Sequence, residues 1–299
     1  MRLKVLAGTL VILGVVARAG WAQEQFTLYA VVVDGVSGEP VASLSPDEVK
    51  FTEDGVEAKV LSAEPVNWPV KVQLLVDNGQ GLGSSNIQLL KDGIVGFLDK
   101  LPEGVEVTLV STSPQPRILT KATTDRAEML KGVALLGPDN GVGRFAESMA
   151  EATQRIERDT GDALPVIVTM GTSSGDTNVR DRDINNIFER LQKLPIIVHV
   201  VMLQGTASSA SGGGNQTQLG ISVTKGTGGR YEGIALANRL PTLLPEIGEL
   251  VADSHRLASR QFVLTIERPA GKKGDLGQIG AGVGGGKVMK SVSMDGRIR

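Results

Sequence analysis

Apolar residues follow two patterns that alternate through the middle of the chain. Almost continuous aliphatic runs predict buried strands at 70–76, 105–111, 164–170 and 195–203. Apolar residues at helical spacing predict helices at 84–101, 123–136, 144–158, 181–193, 216–226 and 236–253, with a short strand at 228–231. Strands that alternate with helices in this way indicate an α/β fold with a doubly wound, mostly parallel sheet.

Both ends of the chain have β character instead. Residues 26–33 and 56–63 predict two strands, with a single helical turn at 45–49 between them. Near the C-terminus, 261–266 and 288–294 predict two more strands, and the glycine-rich stretch 271–287 is expected to be a mobile loop. We expect an N-terminal β segment (23–68) and a C-terminal β segment (257–299) to pair into a small satellite beside an α/β domain (69–256).

The first 22 residues have the features of a secretory signal. Arg2 and Lys4 precede an apolar run at 5–16, and Gly20 and Ala22 are small residues suited to a peptidase. The run is shorter than the roughly 20 residues that span a bilayer. The sequence therefore predicts a signal peptide at 1–22, export to the periplasm or beyond, and no membrane span after cleavage; a short uncleaved anchor is the alternative.

Composition narrows the classes of partner. The formal net charge is −2, and loss of the basic residues of the leader makes the remaining chain more acidic, which argues against nucleic acid as a partner. Aromatic residues make up only 3% of the chain, so little material is available for stacking on bases or sugars. Without cysteine, stability after export depends on an aliphatic core rather than on disulfides.

The strand at 70–76 ends at Asp77 and runs into a turn that contains Gly79, Gly81 and Gly83. Ligands of α/β proteins bind at the carboxyl ends of such strands. From these residues alone, Asp77 can hold a metal, bracket a phosphate or cap its own turn. A dinucleotide site is disfavoured, because the third small position falls on Ser84 and no acid ends the next strand.

The order of these features resembles a known family. An N-terminal motif formed by Val33, Asp34, Gly38, Pro40, Val41, Leu44 and Glu48 precedes a doubly wound sheet whose first strand ends in aspartate, and Thr227-Gly-Gly-Arg-Tyr231 precedes the last helix. The chain thus resembles secreted bacterial proteins with a von Willebrand factor A (VWA) domain. The resemblance implies a Rossmann-like sheet, a protein-binding role and a metal-ion-dependent adhesion site at the carboxyl edge.

Most ligands of that metal site are missing here. The resemblance implies the pattern D-x-S-x-S, a threonine and a second aspartate, but only Asp77 is kept. Gly79 and Gly81 occupy the serine positions, and Gly143 and Met170 occupy the threonine and aspartate positions. Magnesium and calcium need about six oxygens, and a thioether is too soft a donor for them. We therefore expect a degenerate, metal-independent site and no cofactor, with Asp139 or Asp176 as the alternative donors.

The predicted function is a non-enzymatic, exported protein-binding or adhesion-type module. Its contact surface is expected to be the rim, which we define as the loops 78–84, 113–117, 137–144 and 172–178 at the carboxyl edge. The candidate rim residues are Asp77, Asn78, Gly79, Gly81, Asp139, Gly143, Met170 and Ser173. The partner is expected to be a protein of unknown identity.

Two other functions stay open. The alternative is a structural packing module of an envelope assembly, which needs no site. A serine hydrolase is less favoured: Gly171-Thr-Ser-Ser-Gly175 fits the nucleophile-elbow pattern around Ser173, with Asp253 and His255 downstream. A polar stretch separates Ser173 from the next helix, however, whereas an elbow enters its helix directly.

Overall fold

The computed structural model describes residues 23–159, 161–173, 181–205 and 213–298. The predicted signal peptide, Asp176 and most of the rim loop 172–178 lie outside the described residues. The strands are β1 Gln25–Asp34, β2 Val49–Glu53, β3 Val56–Val66, β4 Val70–Val76, β5 Glu106–Ser111, β6 Arg117–Thr123, β7 Leu164–Thr172, β8 Ile197–Leu203, β9 Tyr231–Ile234, β10 Gln261–Glu267, β11 Ile279–Val283 and β12 Lys287–Ser293. The helices are α1 Ile87–Lys100, α2 Arg126–Ala134, α3 Phe145–Arg158, α4 Asp181–Lys193, α5 Gly213–Thr227 and α6 Leu240–Ala258.

A six-stranded sheet in the order β6-β5-β4-β7-β8-β9 forms the centre of the larger unit, which we call the parallel-sheet domain. All its neighbouring strands are parallel except the edge pair β5 and β6. One face packs against Leu90, Phe97 and other residues of α1, α2 and α6, and the opposite face packs against residues of α3, α4 and α5. The predicted doubly wound α/β fold is therefore confirmed.

The edge strand β6 was not predicted. Four of its seven residues are exposed and only Thr120 is buried, so the strand carries no apolar run that would reveal it. The helix predicted at 123–136 begins later, at Arg126, because the Asp125 side chain accepts hydrogen bonds from the amides of Ala127 and Glu128. The short strand predicted at 228–231 lies further along, at Tyr231–Ile234.

The terminal segments form a second, antiparallel sheet in the order β11-β2-β3-β10-β1-β12, which we call the β satellite. Its centre joins the two ends of the chain, since β1 pairs with β10 from Gln25 opposite Glu267 to Val31 opposite Gln261. The hairpin between β2 and β3 turns at Asp54 and Gly55, whose φ angles of 50° and 78° suit a two-residue turn. This pairing confirms the predicted satellite.

The prediction of a mobile loop at 271–287 is wrong for residues 279–283, which form β11 and pair with β2. Alternating glycines hid this strand, because they remove the side-chain pattern by which strands are recognised. At Gly280 a Cβ atom would lie 2.5 Å from the Thr52 hydroxyl, so glycine allows the close approach. The residues before β11 are held by side chains of the β2–β3 hairpin, with Gly277 N donating to Glu53 Oε1 at 3.0 Å.

Gly296 and Arg297, near the end of the described residues, connect the β satellite to the parallel-sheet domain. The buried Arg297 guanidinium donates to the carbonyl oxygens of Leu191, Gln192 and Leu194 at the end of α4, where a cation also complements the helix dipole. Gly296, with φ 75°, lies against the Trp68 ring. Within the described part of the chain, no helix combines the length and apolar character needed to cross a membrane.

Candidate functional site at the carboxyl edge

Asp77 lies at the end of β4 with a side chain that is only 2% exposed. Its Oδ2 accepts a hydrogen bond from the Thr172 hydroxyl at 2.6 Å, and its Oδ1 accepts one from the Gly79 amide at 2.8 Å. Thr172 is the last residue of β7, two residues after Met170. The sequence analysis did not identify it as a hydrogen-bond partner of Asp77. The carboxyl group therefore caps its own turn, which is one of the three roles that the sequence allowed for Asp77. It also links β4 to β7 by a hydrogen bond.

The electrostatic surroundings of Asp77 favour its neutral form. Burial raises the pKa of Asp77 above its ordinary value, hydrogen bonds from Thr172 and Gly79 oppose this, and the charge of Asp139 raises the pKa further. Among the described residues, none of the groups that shift this pKa carries a positive charge.

The space that hydroxyl side chains would need at the glycines around Asp77 is occupied by atoms of neighbouring residues. A Cβ atom at Gly143 would lie 2.1 Å from Asp77 Oδ2. At Gly79 a Cβ atom would lie 2.5 Å from the Gly141 carbonyl oxygen and 2.7 Å from Ser113 Oγ. Because such contacts are far inside van der Waals distance, a serine or threonine fits at neither position unless the loops move apart.

A divalent cation of the kind that the resemblance implies does not fit these residues. Met170, in the position of the second aspartate, is fully buried and belongs to the apolar cluster between the sheet and α1. Both oxygens of Asp77 already accept hydrogen bonds, and the two glycines closest to it leave no room for hydroxyl ligands. The described residues also contain no group of three or more histidine or acidic side chains placed to hold a metal.

Hydrogen bonds join three of the rim loops. Asn78 donates through Nδ2 to the Gly137 carbonyl at 2.7 Å, and its own carbonyl accepts from the Asp139 amide at 2.9 Å. The Gln80 amide donates to the Gly141 carbonyl at 2.9 Å. The loop after β4 and the loop before α3 are therefore held together at three points, although nearly 60 residues separate them in sequence.

Asp139 joins the loop after β5 to the same network. Its Oδ1 accepts from Ser113 Oγ at 3.3 Å and from the Gly141 amide at 2.6 Å. The Arg144 amide, at the start of α3, donates to the Thr112 carbonyl at 3.0 Å. Asp139 therefore acts as a structural acceptor between two rim loops, and these bonds account for the position of its side chain without a bound ion.

Most of the predicted rim residues support the surface instead of forming it. Asp77, Asn78, Gly79, Gly143, Met170 and Ser173 are buried, whereas Gly81 and Asp139 are partly exposed. The structure places these six residues beneath the surface of the rim, and the role of the rim in binding stays a prediction. The exposed residues of the described rim are Gln80, Ser84, Pro114, Gln115, Arg117, Gly137, Pro138 and Asn140.

Ser173 is engaged in backbone contacts at the end of β7. Its hydroxyl oxygen accepts from the Gly205 amide at 2.8 Å, its own amide donates to the Leu203 carbonyl at 2.9 Å, and it is 1% exposed. His199 is buried in β8, where its Nδ1 accepts from the Arg230 amide at 3.1 Å. Burial, with the nearby charge of Arg230, lowers the pKa of His199 to about 4, so this imidazole stays neutral at pH 7.

Comparison with known proteins identifies the fold. No family model and no curated protein matches this sequence. Among solved structures, a von Willebrand factor type A protein from Catenulispora acidiphila is similar, with a TM-score of 0.51 and 10% identity over 92% of this chain and 74% of that chain. The SpRpn10 VWA domain has a TM-score of 0.48 and 14% identity over 60% of this chain and 97% of that chain.

A third similar structure is the vWF domain of the type V pili tip protein Mfa5 from Porphyromonas gingivalis, with a TM-score of 0.46 and 14% identity over 62% of this chain and 96% of that chain. At such identities the likeness concerns the fold alone. Together with the strand order and the helices on both faces of the sheet, the likeness to the Catenulispora acidiphila structure shows that the parallel-sheet domain of this chain has the fold of a von Willebrand factor A domain.

Proposed function

We propose that this protein is a non-enzymatic, exported module that binds another protein through the rim of its VWA-like domain without a divalent cation. The observation that carries the proposal is the hydrogen-bonded network that joins three rim loops around the buried Asp77. A surface held in one arrangement before binding loses less conformational entropy on association than flexible loops do. Exposed polar and proline side chains on this fixed frame, such as Gln115, Pro138 and Asn140, are available to a partner.

Cation independence is supported by the chemistry of the site. In a metal-dependent adhesion site, the cation offers an open position to an acidic group of the partner, and at least two carboxylates offset its charge. Here Asp77 has a raised pKa and no second carboxylate beside it in the position of Met170. Recognition then depends on the exposed loop residues. Export rests on the signal features of residues 1–22.

The proposal is tested by capture from the exported protein fraction of the source cells, with the full mature chain as bait. We expect capture of a defined partner that persists in EDTA. The double variant Gln115→Arg, Asn140→Arg places two new charges on the rim and should abolish capture. Glu189→Arg, on the exposed part of α4, changes the net charge by the same amount and serves as the control, which should capture as well as the wild type.

Two outcomes would contradict the proposal. Capture that disappears in EDTA would show that a cation takes part. Capture that survives the double variant but is lost in Glu189→Arg would place the contact surface on the helices instead of the rim.

A further inference from the structure

The chain contains two Asp-Asn-Gly triplets, and both lie in the rim. One is Asp77-Asn78-Gly79, which follows β4, and the other is Asp139-Asn140-Gly141, which precedes α3. In each triplet the glycine amide donates a hydrogen bond to Oδ1 of the aspartate two residues before it, at 2.8 Å in the first and 2.6 Å in the second. Because the triplets share their residues and this backbone contact, their two asparagines can be compared directly.

The first asparagine, Asn78, is held in place. It is 5% exposed, and its Nδ2 donates to the Gly137 carbonyl at 2.7 Å. Its own backbone carbonyl accepts from the Asp139 amide at 2.9 Å. The side-chain oxygen is buried as well. The carboxamide of Asn78 therefore cannot turn toward the Gly79 nitrogen without breaking these contacts, and water does not reach it.

The second asparagine, Asn140, has neither restraint. It is exposed, and within the described part of the chain its carboxamide makes no hydrogen bond. The next residue, Gly141, has no Cβ atom that would shield its nitrogen from the side chain before it. Asparagine is thermolabile in such a setting, because the nitrogen of the next residue can attack its carboxamide carbon.

We propose that Asn140 is a site of spontaneous deamidation, whereas Asn78 keeps its amide in the folded protein. The Gly141 nitrogen attacks Cγ of Asn140, and its proton passes to the Asp139 carboxylate that already accepts it. The new C–N bond closes a succinimide while the bond from Cγ to Nδ2 breaks, and ammonia leaves with the proton from Asp139. Water then opens the succinimide at either carbonyl, which gives aspartate or isoaspartate. The net change converts one amide and one water into one carboxyl group and one ammonia.

The reaction changes both the charge and the shape of the rim. It places a second carboxylate beside Asp139. Isoaspartate also adds one methylene to the main chain before Gly141, whose carbonyl accepts from the Gln80 amide at 2.9 Å. A Cβ atom at Gly141 would already lie 2.5 Å from Cβ of Pro114, so the longer chain does not fit unless the two loops move apart.

Peptide mapping by mass spectrometry tests the proposal. The mature protein is incubated at neutral pH in native buffer and, separately, in urea, and samples are digested with trypsin; a sample at time zero corrects for conversion during digestion. Asn140 lies in the tryptic peptide 132–144 and Asn78 lies in 72–91, so each conversion is measured separately.

In the folded protein we expect Asn140 to convert at least about tenfold faster than Asn78, because Asn78 reacts only from locally opened states. In urea the two rates should agree to within about twofold, since the two triplets contain the same residues and their native contacts are lost.

Two variants test the chemistry of the step. Asp139→Asn keeps an acceptor for the Gly141 amide but removes the carboxylate, so it should slow conversion of Asn140 by about tenfold or more. Fragment ions locate the converted residue, so the introduced amide does not interfere. Asn140→Gln should show no conversion in the peptide 132–144 over the same period, because its longer side chain disfavours ring closure.

Three outcomes would overturn the proposal. The first is an amide that persists at Asn140 in the folded protein while the urea sample converts, and the second is equal rates at Asn78 and Asn140 in the folded protein. The third is an unchanged rate in Asp139→Asn, which would remove that carboxylate from the step. Because the readout is the mass of a peptide, the result does not depend on whether the rim binds a partner.

Discussion

Among the described residues, the parallel-sheet domain and the β satellite each bury one carboxyl group, and the surroundings of the two groups shift their pKa values in opposite directions. Asp77 is 2% exposed, its carboxyl group accepts hydrogen bonds from uncharged groups of Thr172 and Gly79, and burial raises its pKa. Glu53 is fully buried but receives the Arg268 guanidinium at both oxygens, with Nε donating to Oε2 at 3.0 Å. That hydrogen-bonded cation lowers the pKa of Glu53.

The difference shows that burial raises the pKa of an acid that has uncharged partners, whereas a hydrogen-bonded cation outweighs burial and lowers the pKa. In the β satellite, the ion pair joins β2 to the residue after β10 and holds together segments that are 215 residues apart. At the carboxyl edge, the donors that the described residues offer to Asp77 are uncharged, and this carboxyl group shapes a turn. A domain that kept the cation site of its fold would need a second carboxylate, where this chain has the buried Met170.

Removal of Glu53, the buried counter-charge of Arg268, should change the stability of the protein more than the other substitutions proposed below. Glu53→Ala leaves the buried guanidinium of Arg268 without its main counter-charge, and loss of one member of a buried ion pair costs about 3–5 kcal/mol. We expect the free energy of unfolding, measured by urea denaturation, to fall by that amount. Because the folded pKa of Glu53 is lowered, its contribution is present above its unfolded value and is lost as the pH falls through the folded pKa.

Glu24→Ala is the matched control, because Glu24 binds the same guanidinium at 2.8 Å through a side chain that is 48% exposed. Its loss should cost less than about 1 kcal/mol, as for other exposed ion pairs. Equal losses in the two variants would show that burial of Glu53 adds nothing to the pair.

His199 extends the comparison to a buried base for which the described residues provide no charged partner of opposite sign. Folding lowers the pKa of His199 from 6.5 to about 4. Between these two pH values the unfolded chain binds a proton that the folded protein does not, so the folded state loses stability as the pH falls through this range. The loss between pH 7 and pH 4 that comes from this group is about 3 kcal/mol.

The measurement is the unfolding free energy across that pH range in the wild type and in His199→Asn, whose side-chain oxygen still accepts from the Arg230 amide. The variant should show a shallower decline with falling pH, whatever its absolute stability. Parallel curves would contradict the neutral, buried state of His199.

Asp77→Asn should give the smallest effect. Asparagine keeps an acceptor for the Gly79 amide and a polar contact with Thr172 while it removes a charge that burial disfavours. We expect its unfolding free energy at pH 7 to equal that of the wild type or to exceed it by up to about 1 kcal/mol. Since the folded pKa of Asp77 is raised, the wild type loses stability as the pH rises from the unfolded to the folded value, and any advantage of asparagine disappears below both.

Asp77→Ala is the control for this substitution, because it leaves the Gly79 amide without its acceptor and should lower stability by about 1–3 kcal/mol. If asparagine were as damaging as alanine, the negative charge of Asp77 would be required for folding.

The sequence predicted what depends on local patterns. The aliphatic runs and helical spacing placed the elements of the parallel sheet, and β character at both ends predicted that they would pair. The strand β6 was missed because solvent surrounds most of its side chains, and β11 was missed because glycine leaves no pattern. Both strands lie at the edges of their sheets. There, pairing with the neighbouring strand stabilises the extended conformation more than the strand's own side chains do.

The position of the candidate site was predictable from the sequence, but the hydrogen bonds that form it were not. The end of β4 and the missing ligands were visible in the residues that follow Asp77. The bond from Thr172 spans 95 residues, and the bond from Asn78 to Gly137 spans 59, so no spacing rule indicates either one. Burial of Met170 and Ser173 likewise follows from tertiary packing. These residues were predicted as parts of a contact surface, and the structure places them beneath it.

The most direct test of the central claim, that this VWA-like domain works without a cation, is a calorimetric titration of the mature protein with magnesium and manganese. The account predicts no saturable binding tighter than the millimolar range, and no change in the unfolding temperature when the ions are added. Binding tighter than about 0.1 mM that is lost in Asp77→Asn would contradict it, because the carboxylate would then act as a metal ligand.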